Sequence, residues 1–86
     1  MTPFIEIYGT PSCLWCNKAK DLISTYGLVY NDYHVGKDIT PMEFREIFPG
    51  FTKVPQIKIN GQHIGGYDEL VKYLEETSNG FGEQSL

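Results

Sequence analysis

Cys13 and Cys16 stand three positions apart, directly after the strand-like run Phe4-Ile5-Glu6-Ile7-Tyr8 and directly before the helix-like run Asn17-Lys18-Ala19-Lys20-Asp21-Leu22-Ile23. Thiol–disulfide exchange needs an exposed thiolate to attack and a second thiol close enough to resolve the mixed disulfide. Unpaired N–H groups and the helix dipole favour negative charge at a helix amino end, so a thiol placed there loses its proton more readily. That position makes Cys13 the attacking sulfur and leaves Cys16, one turn further in, as the resolving one. The other chemistry open to such a pair is half of a zinc site. It needs two more ligands, and only His34 and His63 could add imidazoles; no second closely spaced ligand pair exists, so no metal is expected.

A small fold has to hold these positions. The 86 residues suffice for one compact domain, expected over 1–77, with the polar, glycine-containing segment 78–86 expected as a flexible tail. Hydrophobic residues make up 41% and charged residues 21%, an ordinary soluble balance, and no apolar run approaches the roughly 20 residues of a membrane span. Met1-Thr2-Pro3 has no basic stretch and Glu6 breaks the apolar run behind it, so no secretory leader is expected and the chain is placed in the cytoplasm. In that reducing compartment a close cysteine pair is catalytic or metal-binding rather than a structural staple. With 7 Lys+Arg against 11 Asp+Glu the net charge is -4, and no basic cluster stands out, which argues against nucleic acid as a partner.

The order of elements follows from periodicity and turn chemistry. Phe4–Tyr8 reads as a first strand, Gly9-Thr10-Pro11-Ser12 as a turn, and Leu14 to about Tyr26 as a helix stopped by Gly27. Leu28–Val35 has the β-branched and aromatic content of a second strand, parallel to the first through a right-handed crossover. Thr40-Pro41-Met42-Glu43 is a capping box with proline in the first turn, opening a short helix to about Phe48. Val54–Ile59 and Gln62–Ile64 form a hairpin across Asn60-Gly61, and Tyr67–Thr77 is a last helix. Phe4, Tyr8, Phe44, Phe48 and Tyr73 sit at spacings that suit the core, and His34 and His63 read as structural or surface groups.

Three further features could shape a site. Pro55 opens a strand, where its missing N–H does little harm and a cis peptide is tolerated; it could equally be a plain proline at a strand start. Gly65-Gly66 lets backbone approach a ligand closely and Tyr67-Asp68 begin a helix, although the glycines could only make a turn and Asp68 could only cap. Trp15, between the cysteines, is expected to be exposed, because Leu14 and Trp15 cannot both face inward with Cys16.

Taken together, Cys13-Leu14-Trp15-Cys16, Thr52-Lys53-Val54-Pro55-Gln56 and Gly65-Gly66-Tyr67-Asp68-Glu69-Leu70, in this order, make the chain resemble a dithiol glutaredoxin over positions 4 to about 75, in a compact bacterial or bacteriophage-like form. The resemblance implies the α/β thioredoxin-like fold, a four-stranded mixed sheet with three helices in the order β-α-β-α-β-β-α. It implies a glutathione-dependent oxidoreductase that reduces protein disulfides and glutathione mixed disulfides through Cys13 and Cys16. It also implies that no cofactor is bound permanently, that glutathione is the reducing co-substrate, that ribonucleotide reductase is a client and that the chain is a monomer. It further implies a cis Pro55 packed beside the cysteines, Val54 backbone bound to the cysteinyl part of glutathione, and Gly66, Tyr67 and Asp68 at its γ-glutamyl end. Trp15 would cover the bound tripeptide.

Two departures stand out. Leu14-Trp15 replaces the Pro-Tyr common in the family, and Thr10 stands where many members carry lysine, a glutathione contact that Lys53 can replace. Two other readings remain at this point: a thioredoxin-like redoxin recycled by a flavin reductase, and a carrier of a two-iron, two-sulfur cluster held by Cys13 thiolates and glutathione from two chains.

Overall fold

A computed structural model of the chain describes residues 2–80, in the element order β1 (Ile5–Gly9), α1 (Leu14–Thr25), β2 (Asn31–His34), α2 (Pro41–Ile47), β3 (Gln56–Ile59), β4 (Gln62–Gly65) and α3 (Tyr67–Gly80). The four strands make one sheet in the order β2-β1-β3-β4. β1 and β2 run parallel, with α1 as the crossover, while β3 is antiparallel to both β1 and β4. This is the mixed α/β arrangement expected. α3 continues three residues past Thr77, and positions 81–86 of the expected tail lie outside the described residues.

Alternation along β1 divides the interior in two. Ile5 and Ile7 join Ile57 and Ile59 against Ala19 and Ile23 of α1 and Leu70 and Leu74 of α3. On the opposite face Tyr8 packs with Phe44 and Phe48 beside α2. Each fully buried Ile or Leu contributes about 1.5–3 kcal/mol, so the first cluster clamps both long helices on one side of the sheet. Phe4, expected in the core, is instead 51% exposed. Alternation puts it on the Glu6 and Tyr8 face, and the α2 cluster reaches only the Tyr8 end of that face.

Local chemistry sets the element ends. Thr40 Oγ1 accepts from the Glu43 N–H at 3.0 Å and Glu43 accepts from the Thr40 N–H at 2.8 Å, the reciprocal capping box that starts α2. Gly27, at φ 73°, closes α1: its N–H reaches Ser24 O at 2.9 Å and the Leu28 N–H reaches Ile23 O at 3.1 Å. Because the Leu28 N–H is spent on that stop, β2 begins only at Asn31, where pairing with Glu6 starts, rather than at Leu28. Asn60 and Gly61 take φ 54° and 81°, the doubly positive turn that joins β3 to β4.

β1 delivers the chain to the cysteines through Gly9. A Cβ at Gly9 would lie 2.5 Å from Cys16 Sγ, so the strand end and the buried thiol occupy adjoining space with no room for a methyl group. Gly9→Ala is therefore expected to lower stability by about 1–3 kcal/mol, the range for overpacking. An unchanged urea midpoint for the reduced protein would show that Cys16 can move aside.

Candidate active site

Cys13 is the N-cap of α1, in extended conformation, and its sulfur accepts the Cys16 N–H at 3.2 Å. The Cys13 N–H donates to Thr10 O at 3.2 Å, which fixes the turn before the helix. Cys13 is half-buried and Cys16 is fully buried, both as free thiols, so the two sulfurs of one helical turn face different surroundings. The arrangement matches the division into an outer and an inner sulfur drawn from spacing alone.

Beside the outer thiol lies a groove of about 740 Å³. It is assembled from three separated stretches: Trp15 on α1, Phe51 and Lys53–Gln56 before and at the start of β3, and His63–Glu69 from β4 into α3. Every residue expected to hold a tripeptide lies along it: Trp15, Lys53, Val54, Pro55, Gly66, Tyr67 and Asp68. Cys13 meets it through the Val54 carbonyl, 3.8 Å from its sulfur, and the Val54–Pro55 peptide is cis. Trp15 is 51% exposed, with its ring 5.1 Å from that of Tyr67 and Lys18 Nζ 5.5 Å from its centre. One aromatic pair thus bridges the cysteine end of the groove to the start of α3.

Between β3 and β4 the register shifts: Lys58 pairs with His63 but Ile57 pairs with Gly65, leaving Ile64 as an extra residue. Such a bulge bends its strand. Gly65 then takes φ 124°, and Gly66 comes so close to the proline loop that a Cβ there would lie 3.2 Å from Pro55 O. Gly66 O accepts from the Leu70 N–H at 3.0 Å and its own N–H donates to Glu69 Oε1 at 2.9 Å, which makes Gly66 the N-cap of α3. A glycine cap has no side-chain oxygen for the amides of the first turn, so they stay available to a ligand carboxylate.

A polar pair with no signal in the sequence stands on the groove's other side. Gln56 is buried at 6% exposure, donates Nε2 to Lys53 O at 3.0 Å, and meets His63 Nε2 through Oε1 at 2.7 Å. The His63 ring packs on Phe48 and Phe51, with centroids 4.6 and 4.7 Å away. Burial, with Lys58 nearby, pushes the His63 pKa down and keeps the ring neutral at neutral pH. A lone histidine in a strand carries no sequence signal for this; only the pairing with Lys58 puts it on the same face as Gln56. Among the described residues no group of three or more His, Cys, Asp or Glu side chains is placed to hold a metal ion, and no helix is long and apolar enough to cross a membrane.

Comparison with known proteins adds the family. A profile described as Glutaredoxin matches residues 5–64. Glutaredoxin 3 of Escherichia coli is 38% identical over 66 residues, covering 77% of this chain and 80% of that protein. The hybrid peroxiredoxin hyPrx5 of Haemophilus influenzae is 44% identical over 70 residues, 81% of this chain, which spans only 29% of that longer protein. Among solved structures, reduced E. coli glutaredoxin superposes with a TM-score of 0.72 at 28% identity, covering 87% of this chain and 96% of that one. A buckwheat glutaredoxin solved with glutathione gives 0.73 at 22% identity over 87% of this chain and 71% of that one.

The unequal burial of the two sulfurs has a pH signature. Burial first, then the hydrogen bond to Cys13, pushes the Cys16 thiol up from its ordinary 9.0 to about 12. Burial, with Glu6 next, likewise raises Tyr8 from 10.0 to about 12. In both cases the unfolded chain releases its proton at lower pH than the folded one, so the stabilisation is complete below the unfolded value and declines as pH rises. Urea titrations of the reduced protein are expected to show constant stability from about pH 7 to about pH 9 and a steady loss towards pH 12. Cys16→Ala should flatten the part of that loss between pH 9 and 10, and a wild-type curve already flat there would contradict the burial of the thiol.

Proposed function

The chain belongs to the glutaredoxin family and has its thiol–disulfide oxidoreductase activity, and we propose that glutathione is its reductant, bound in the groove beside Cys13. The observation that carries this reading is the convergence of Trp15, Lys53, Val54, Pro55, Gly66, Tyr67 and Asp68 on one groove whose edge lies 3.8 Å from the Cys13 sulfur. Its volume, about 740 Å³, is within the usual range for a small-molecule site. Charge is distributed as an extended zwitterionic peptide requires. Lys53, the one Lys or Arg along the groove, suits the glycyl carboxylate and takes over where Thr10 supplies no charge. The Val54 main chain suits the cysteinyl part, the first-turn amides of α3 suit the γ-glutamyl carboxylate, and Asp68 suits its ammonium. Glutathione is also the ligand of the buckwheat relative.

The reaction proceeds by two exchanges. Cys13 thiolate attacks one sulfur of a substrate disulfide, forming a mixed disulfide with Cys13 and releasing the other sulfur as a thiolate that takes up a proton. Cys16 then gives up its proton and attacks Cys13 Sγ, releasing the second substrate thiol and leaving a Cys13–Cys16 disulfide. One glutathione thiolate opens that disulfide and is held on Cys13; a second removes it as glutathione disulfide, restoring both thiols. With a glutathione mixed disulfide as substrate, Cys13 takes the glutathionyl group directly and Cys16 is not needed.

Protein disulfides are the wider substrate class, in a reducing compartment such as the cytoplasm, with the chain acting as a monomer. Ribonucleotide reductase is one such client. The 44% identity to a hybrid peroxiredoxin favours a peroxiredoxin disulfide as another.

Glutathione, its reductase and NADPH are expected to sustain turnover of a small glutathione mixed disulfide by the purified chain. Cys13→Ser should abolish all exchange, while Cys16→Ser should keep removal of glutathione and lose reduction of protein disulfides. Asp68→Ala should raise the apparent KM for the mixed disulfide roughly three- to tenfold, the worth of one hydrogen bond, at unchanged thermal midpoint. Turnover sustained by a flavin-dependent reductase and not by glutathione would replace this reading with the redoxin one.

A further inference from the structure

Gln56 is the one buried polar residue among those described, and nothing in the exchange chemistry uses it. Both ends of its amide are engaged. Because Nε2 donates to the Lys53 carbonyl at 3.0 Å, the atom facing His63 is the oxygen, and His63 Nε2 must carry the hydrogen of that 2.7 Å bond. The imidazole is fixed in turn by Phe48, which is wholly buried in the α2 cluster, and by Phe51, on the segment leading to Lys53. A continuous line therefore runs from the core through His63 and Gln56 to the Lys53 carbonyl. The next carbonyl, that of Val54, is the one beside the Cys13 sulfur. The Lys53–Val54 stretch lies outside the regular strands, so ladder hydrogen bonds do not set its position.

We propose that His63 and Gln56 are positioning residues: they hold the Lys53–Val54 backbone in register with Cys13 and so set how tightly a glutathionylated substrate is bound, leaving the sulfur chemistry to the cysteines. This rests on the glutathione reading of the groove for its effect on affinity, but not for its effect on the backbone. Removing the His63 donor leaves a buried amide oxygen unpaired and frees the Gln56 amide to turn away from Lys53.

Two variants separate the parts of this chain of contacts. His63→Phe keeps an aromatic ring between Phe48 and Phe51 and removes the N–H. Gln56→Glu keeps an acceptor for His63 and removes the donor to Lys53. Each is expected to raise KM for a glutathione mixed disulfide roughly three- to tenfold, the worth of one net hydrogen bond, with kcat within about twofold. Each should also shift the Lys53 and Val54 amide resonances in the substrate-free protein. His63→Gln, which restores an N–H donor without the ring, should recover part of the KM. An unmoved KM together with unmoved Lys53 and Val54 amides in either folded variant overturns the proposal, as does a loss confined to kcat. If the wild type does not turn over with glutathione, the functional reading fails, and the amide resonances of the variants still decide the positioning role. Should His63→Phe not fold, Gln56→Glu carries the test.

Discussion

A helix that begins on a cysteine has to satisfy an early amide with sulfur, and the rest of the site is arranged around that requirement. The Cys16 N–H donates to Cys13 Sγ at 3.2 Å, so the outer sulfur, the proposed exchange group, is the helix cap. Sulfur is a large, weak acceptor, so the cap sets the orientation of the outer side chain more than it stabilises the helix. The same turn carries the inner sulfur into the protein, against Gly9 at the end of the central strand β1. Moving α1 along its axis would expose Cys16 or drive it into that strand. The clamp of α1 and α3 on Ile5, Ile7, Ile57 and Ile59 therefore fixes the thiol pair as well as the fold.

The groove depends on the sheet in a different way. Its three stretches are separated in the chain by 35 and six residues, and the strand order β1-β3-β4 brings them side by side. α1 springs from the end of β1 and the proline loop leads into β3, the neighbour of β1, so Trp15 and Val54 border one space. The bulge at Ile64 and the left-handed Gly65 then turn the chain into α3, close to Pro55. A side chain at Gly66 would press on the Pro55 carbonyl, so this approach depends on glycine.

Much of this was legible in the residues because the signals are local. Cysteines three apart at a strand-to-helix junction, Thr40 with Glu43, Asn60-Gly61 and Gly65-Gly66 each state their own geometry within four or five positions, and the structure has all of them. What escaped depends on partners far along the chain. Phe4 has the composition of a core residue but lies beyond the cluster that would cover it. Leu28 to Tyr30 look like strand, yet the backbone of Leu28 is taken by the end of α1 and Val29 is 71% exposed. Gln56 and His63 are seven residues apart, and only the hairpin register turns both to the face that α2 covers. Polar residues in a short strand usually read as its solvent face, and here a loop and α2 cover that face instead.

The unequal burial of the two thiols also bears on the proposed exchange. Burial keeps the Cys16 proton in place, and the next contributions in the same direction come from Cys13, through its hydrogen bond and its charge. In the opposite direction act the Thr10 backbone and, more weakly, Lys20. In the proposed mixed disulfide Cys13 is no longer a free thiol, so its share of the restraint on Cys16 disappears. What remains is the desolvation of a buried thiol, opposed by the Thr10 backbone hydrogen bond and the Lys20 ammonium. The inner sulfur is thus held neutral while the outer one is free and becomes easier to ionise when there is a disulfide next to it to attack. Resolution can only follow capture, because capture supplies the disulfide that Cys16 attacks, while burial, the largest restraint on its proton, remains.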